Sequence, residues 1–226
     1  MVIHEIVYYT DPLCCWSWGM ESSLNAIAER LGKKVRWRYC MCGLIPDWKH
    51  FVDPVNSVQR PAQMGPVWMH AQAVSGATFD STIWFRDPPS SSYPACIAVK
   101  CVELQDALYV PTFLNLLRKA GMSNAINISK QDELIKLARE LKHSFPLFDH
   151  NVFKQDLVNG RGREAFRADL SEVQSRGINR FPSLLIRSDK EPVLLTGYRS
   201  LEQLSAFLKI DCVISEEESC SNNVSA

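Results

Sequence analysis

The stretch Asp11-Pro12-Leu13-Cys14-Cys15-Trp16-Ser17-Trp18 decides how this chain reads. Ahead of it residues 2–9 form an apolar run of strand length. Behind it Leu24, Ile27, Ala28 and Leu31 recur at three- and four-residue spacings until Gly32 stops them, which predicts a helix over 16–31. A strand therefore hands over to a helix at Cys14. A thiolate there faces unpaired backbone N–H groups and the positive end of the helix dipole, which lowers a cysteine pKa from about 8.5 to roughly 3.5–7.5. Cys14 is the candidate nucleophile, with a pKa expected at least about one unit below that of a free thiol.

Outward from this point, residues 34–41 alternate as a second strand. Val35, Trp37, Tyr39 and Met41 face one way and Arg36, Arg38, Cys40 and Cys42 the other. Two strands joined by a helix make a βαβ unit with a right-handed crossover. A loop rich in Pro and Asp occupies 43–58, and the helical period then dominates, predicting helices over 61–74, 93–105, 109–120, 130–142, 149–158 and 163–176. Ser129, three residues before Asp132, is the start signal for the fourth of these, and Pro94 suits a first turn. Past Gly177, residues 183–187 and 193–196 read as a hairpin, and Ser200 caps a closing helix over 201–208. From Asp211 the chain is acidic and rich in Ser and Asn, and disorder is expected over 211–226.

The 25 basic and 25 acidic residues balance, so no strong field favours a partner of either sign and nucleic acid is not expected. No apolar stretch approaches the ~18 residues of a membrane span, and the chain enters a strand at once, with no room for a signal peptide. A cytoplasmic protein without membrane association is expected. Its eight cysteines are few for 226 residues and sit in core-like patterns or the tail, so reduced thiols are expected. Cys40 and Cys42 share a strand face, but their spacing is closer than that of usual metal-ligand pairs and no histidine stands at a matching distance, so no metal is expected.

Three segments in order carry a resemblance: Asp11-Pro12-Leu13-Cys14 with Trp16-Ser17, then Gly177-Ile178-Asn179-Arg180-Phe181-Pro182-Ser183, then Gly197-Tyr198-Arg199-Ser200. Together they resemble the DsbA-like family, in particular its cytosolic FrnE-like branch. The likeness implies an α/β, thioredoxin-like fold interrupted by a large all-helical insertion. Residues 1–43 and 177–210, with the end of the helix over 163–176, would form the thioredoxin-like domain, and 44–162 the insertion. It also implies a thiol–disulfide oxidoreductase, isomerase or reductase, with Cys14 as the single nucleophile. Pro182 would be the family's cis-proline, presenting the Phe181 backbone to an extended thiol substrate.

The family pattern is Cys-x-x-Cys or Cys-x-x-Ser, and here Ser17 holds the fourth position. A serine hydroxyl donates a hydrogen bond to a thiolate but cannot take over a sulfur, so a mixed disulfide should persist until another thiol arrives. Cys15 is a poor rescuer, because adjacent α-carbons lie about 3.8 Å apart, below the roughly 4.4–6.8 Å of ordinary disulfides. Glutathione or another external thiol is expected as co-substrate, with no other cofactor. Cys15, Trp16, Phe181, Pro182 and Trp68 are the expected substrate contacts, with Met64, Trp68 and Met69 walling an apolar groove. Two other functions remain open. One is a glutathione-dependent transferase or isomerase of the kappa type, against which the cysteine at the first motif position counts. The other is a non-catalytic adaptor holding a protein partner on a thioredoxin scaffold.

Overall fold

The computed structural model describes residues 2–53 and 56–210, so the stretch expected to be disordered, 211–226, lies outside the described residues. Strand β1 (Ile3–Thr10) leads through helices α1 (Cys15–Gly19) and α2 (Glu21–Leu31) to strand β2 (Arg36–Met41), which runs parallel to it. After the helical region, β3 (Ser183–Ser188) pairs antiparallel with β1 and turns back as β4 (Val193–Thr196), giving the sheet order β2-β1-β3-β4. The βαβ unit and the closing hairpin are thus as the sequence predicts.

The alternation read from residues 35–42 separates the two faces of this sheet. Ile6, Tyr8, Val35, Leu184 and Ile186 pack with Leu24 and Ile27 of α2 and with Leu204 and Leu208 of the closing helix α10 (Leu201–Leu208). Val7, Tyr9, Cys40, Cys42 and Leu185 face the other way, toward Val173 of α9 (Arg161–Ser175). Ser200 caps α10 as expected: its hydroxyl accepts from the Gln203 N–H at 3.3 Å, and the Gln203 side chain accepts the Ser200 N–H at 3.0 Å.

The predicted single helix over 16–31 is two, joined at Met20. Gly19 explains the break. A Cβ there would lie 2.7 Å from the Cβ and Oγ of Ser75, so only glycine, a poor helix former, allows α1 to cross so close to α3 (Met64–Ser75). Backbone bonding still runs through the junction, from the Met20 N–H to the Trp16 carbonyl and from the Leu24 N–H to the Met20 carbonyl.

Between β2 and β3 stand α3, α4 (Ile83–Arg86), α5 (Tyr93–Glu103), α6 (Val110–Arg118), α7 (Gln131–Ser144), α8 (His150–Val158) and α9. Helix α4 escapes a periodicity search because its four residues complete little more than one turn. Helix α6 stops before the predicted residue 120 and passes into a π-helical turn, Lys119–Ser123. Ser129 does not cap α7; its hydroxyl donates instead to Asn127 Oδ1 at 2.5 Å. The core of this region, with Trp68, Trp84, Phe113, Phe148, Phe153 and Phe166, is continuous with Leu13, Cys15 and Met41 at the end of the sheet. Helix α9 serves both parts: Phe166 enters the helical core, and Asp169 accepts the Met41 N–H at 2.8 Å while facing the Lys100 ammonium of α5 at 3.0 Å.

Candidate functional site

Cys14 stands at the head of α1, where its carbonyl accepts the Trp18 N–H at 3.1 Å and its own N–H donates to the Asp11 carbonyl at 3.1 Å, closing a tight turn. The Asp11 carboxylate holds this turn from beneath. Fully buried, it accepts the Leu13 N–H at 2.8 Å, the Leu44 N–H at 2.7 Å, the Ser92 hydroxyl at 2.8 Å and the Cys96 thiol at 3.3 Å. The strand exit, the loop after β2 and the start of α5 converge on one side chain.

Behind the sulfur runs a buried polar chain. Arg118, 1% exposed, pairs closely with Glu21 of α2 through one guanidinium arm and donates through the other to Thr10 Oγ1 at 2.5 Å. Thr10 Oγ1 donates onward to Ser17 Oγ at 2.8 Å, and Ser17, three residues after Cys14, acts to lower the pKa of its thiol. Arg118 also lies 5.7 Å above the Tyr8 ring, in cation–π range.

The expectation of a thiol lowered by the helix start does not hold. Burial pushes the Cys14 thiol above its ordinary range; the Ser17 hydrogen bonds pull it down, Asp11 adds to the rise and Arg118 opposes it. The physical reason is that Cys14 is only 3% exposed, and desolvation penalises the thiolate more than a five-residue helix compensates. Cys15 is raised well above its usual value by burial and by the neighbouring Cys14. It sits 4% exposed, packed in the core cluster of the helical region.

The Phe181–Pro182 peptide is cis. Register fixes its place: Tyr9 is paired with Ser183, so Pro182 lies beside Thr10 at the sheet end from which the Cys14 turn departs. The Pro182 carbonyl accepts the Gly197 N–H at 2.7 Å, tying the second matched segment to the third. Trp16, half-buried, is wedged between His70 of α3 and Tyr198, with ring centroids 5.3 and 5.9 Å away. Trp68 takes no part. It is fully buried against Trp84 and Phe79, at centroid distances of 5.0 and 5.6 Å. The expected groove fails on helical geometry: Met64 and Trp68, four apart, point inward, while Met69 lies a further 100° or so around the helix and is 65% exposed.

Thr10, Glu21 and Arg118 are the residues that sequence reading passed over. A signal existed for one of them: Arg118 follows Leu114 by four residues, so a cation occupies the apolar stripe of an otherwise amphipathic helix. Among the described residues, no group of three or more His, Cys, Asp or Glu side chains is placed to hold a metal ion, and no helix is long and apolar enough to cross a membrane.

A sheet of this order, with a cysteine at the head of its first helix and a cis-proline at the same end, defines a thioredoxin-fold protein. The thioredoxin family model matches residues 8–205, and the chain belongs to that family. It is 28% identical over 197 residues to the ClpXP adapter protein SpxH of Halalkalibacterium halodurans, a match covering 86% of this chain and 63% of that protein. The chain thus spans somewhat under two thirds of that relative. Among solved structures, a candidate protein disulfide isomerase from Nitrosomonas europaea superposes with TM-score 0.74 at 22% identity, covering 91% of this chain and 95% of that one. The cytosolic disulfide reductase DsbM of Pseudomonas aeruginosa, also solved with GSH, superposes with TM-score 0.66 at 20% identity, covering 84% and 88%. These structural likenesses speak for the DsbA-like thioredoxin fold.

Proposed function

We propose that this chain is a thiol–disulfide exchange protein, a reductase or isomerase that works through Cys14 with an external thiol such as glutathione. The observation that carries the reading is the meeting, at one end of the sheet, of Cys14 at the head of α1 and of the cis Phe181–Pro182 turn. The Cys14 thiolate attacks one sulfur of a disulfide R–S–S–R′, forming Cys14–S–S–R and expelling R′S⁻, which takes up the proton Cys14 has lost. A glutathione thiolate then attacks the R sulfur, forming R–S–S–G and returning Cys14 as thiolate. Because burial raises the Cys14 pKa, Cys14 is a poor leaving group and the mixed disulfide is long-lived. The unpaired state of the six described cysteines suits work in a reducing compartment, the cytoplasm.

The test is exchange with glutathione disulfide followed by mass spectrometry. One glutathione adduct on the Cys14 peptide is expected, together with loss of disulfide reductase turnover in Cys14→Ser and only partial loss in Ser17→Ala. Turnover undiminished in Cys14→Ser would overturn the reading.

The 28% identity to a ClpXP adapter across 86% of the chain, together with a covered sulfur, favours a second reading: a scaffold that presents a protein partner and does not use its thiol. Here Cys14→Ala would support ClpXP-dependent loss of the captured partner as fully as the native chain.

A further inference from the structure

We propose that Arg118, delivered by the helical region, is a positioning residue that orients the Ser17 hydroxyl toward the Cys14 sulfur through Thr10. The inference deepens the exchange reading, since it concerns the same sulfur. Its ground is the direction of the hydrogen bonds. A guanidinium only donates, so the Thr10 oxygen, 2.5 Å from Arg118 Nη2, must accept. The one Thr10 hydroxyl proton then goes to Ser17 Oγ at 2.8 Å. Ser17 Oγ, already accepting, keeps its own proton for the sulfur. Thr10 and Ser17 are both fully buried, so no water competes for these positions. Remove the guanidinium and the Thr10 hydroxyl is free to turn and accept from Ser17, drawing that proton away from Cys14.

The fork geometry explains why the residue is arginine. One arm is occupied by Glu21 and the other by Thr10, and a lysine ammonium does not reproduce two parallel donors fixed in a plane. Thr10 and Arg118 are 108 residues apart in the chain, so the thioredoxin-like part alone does not complete the chain of donors. The charged and titratable groups that bear on Cys14 come from several elements: Asp11 in the turn, Arg118 on α6, and the Cys15 and Cys42 thiols, while Glu21 on α2 and Tyr8 on β1 bear in turn on Arg118. Of these, Arg118 favours the thiolate, and Asp11 works against it.

The experiment measures the pH dependence of Cys14 alkylation, read on the Cys14 peptide by mass spectrometry, beside thermal melting. Thr10→Val keeps the shape and breaks the chain of donors; Thr10→Ser restores it. Glu21→Gln with Arg118→Met removes the buried pair together, so neither charge is left alone. We expect the Thr10→Val and double variants to melt cooperatively and to alkylate about tenfold more slowly near neutral pH, as for a pKa about one unit higher. Thr10→Ser should match the native profile. Adding Thr10→Val to the Glu21/Arg118 pair should cause little further loss, because both act through one chain. An unchanged profile in folded Thr10→Val would overturn the proposal, whatever the double variant does. Alkylation needs no disulfide substrate. A native chain that shows this dependence yet forms no glutathione adduct would remove the exchange reading and leave the positioning role standing.

Discussion

Cys14 is where position and environment give opposite instructions. Its place at a strand-to-helix junction is legible in eight residues of sequence, and the structure puts it there. Its burial is not legible, because the cover comes from distant segments: the tryptophan beside it is held by His70 and Tyr198, and the carboxylate beneath it by Leu44 and Ser92. The consequence is measurable. The pH profile of Cys14 alkylation in the native chain should have its midpoint above 9.0, the ordinary value from which burial lifts it. A profile with its midpoint below that value would mean that the sulfur is solvated in solution. Trp68 teaches the same lesson from the other side, since an aromatic on the first helix after the loop reads as a binding wall and in space is core.

Among the elements, the helices longer than about two turns were legible because their apolar stripes repeat often enough to be seen, as in α2, α5, α7 and α10. Shorter pieces were not, and neither was the division of the first helix, whose cause lies in another helix. Gly19 marks that contact. Gly19→Ala should destabilise the fold by about 1–3 kcal/mol through overpacking against Ser75, seen as a lower denaturant midpoint. Ser75→Gly in the same chain should restore most of the loss. An unmoved midpoint in Gly19→Ala would show that α3 gives way freely. Gly162 does the same service where α9 meets α5, since a Cβ there would collide with the Cys101 sulfur.

For the molecule as a whole, the decisive contacts are those that fasten the helical region and α9 to the sheet. Glu172 on α9 is bound by Arg38 of β2 at 2.6 Å, by the Tyr9 hydroxyl of β1 at 2.6 Å and by Arg176 at 3.0 Å. Burial works to raise its pKa, but these partners outweigh it and bring the carboxyl from 4.5 down to about 2. A folded-state pKa below the unfolded one contributes stability that is fully present above pH 4.5 and fades as the pH falls toward about 2. Glu172→Gln should therefore flatten the acid limb of the stability curve in that window; an identical acid limb in the variant would show that the network adds nothing. The Arg118–Glu21 pair joins α6 to α2 in the same manner. Arg118→Met alone should cost about 3–5 kcal/mol by stranding the Glu21 carboxylate, and adding Glu21→Gln should recover much of it.

Asp11 works as a keystone. Two of the four donors that quiet its charge, Leu13 and Leu44, come from the thioredoxin-like part and its exit loop, and the other two, Ser92 and Cys96, from the start of α5. Without Ser92 and Cys96 the Asp11 carboxylate would keep only two of its four donors, and the loop above it would have no reason to stay shut. The Cys14 turn and the helices that follow it are in this sense a single act of folding.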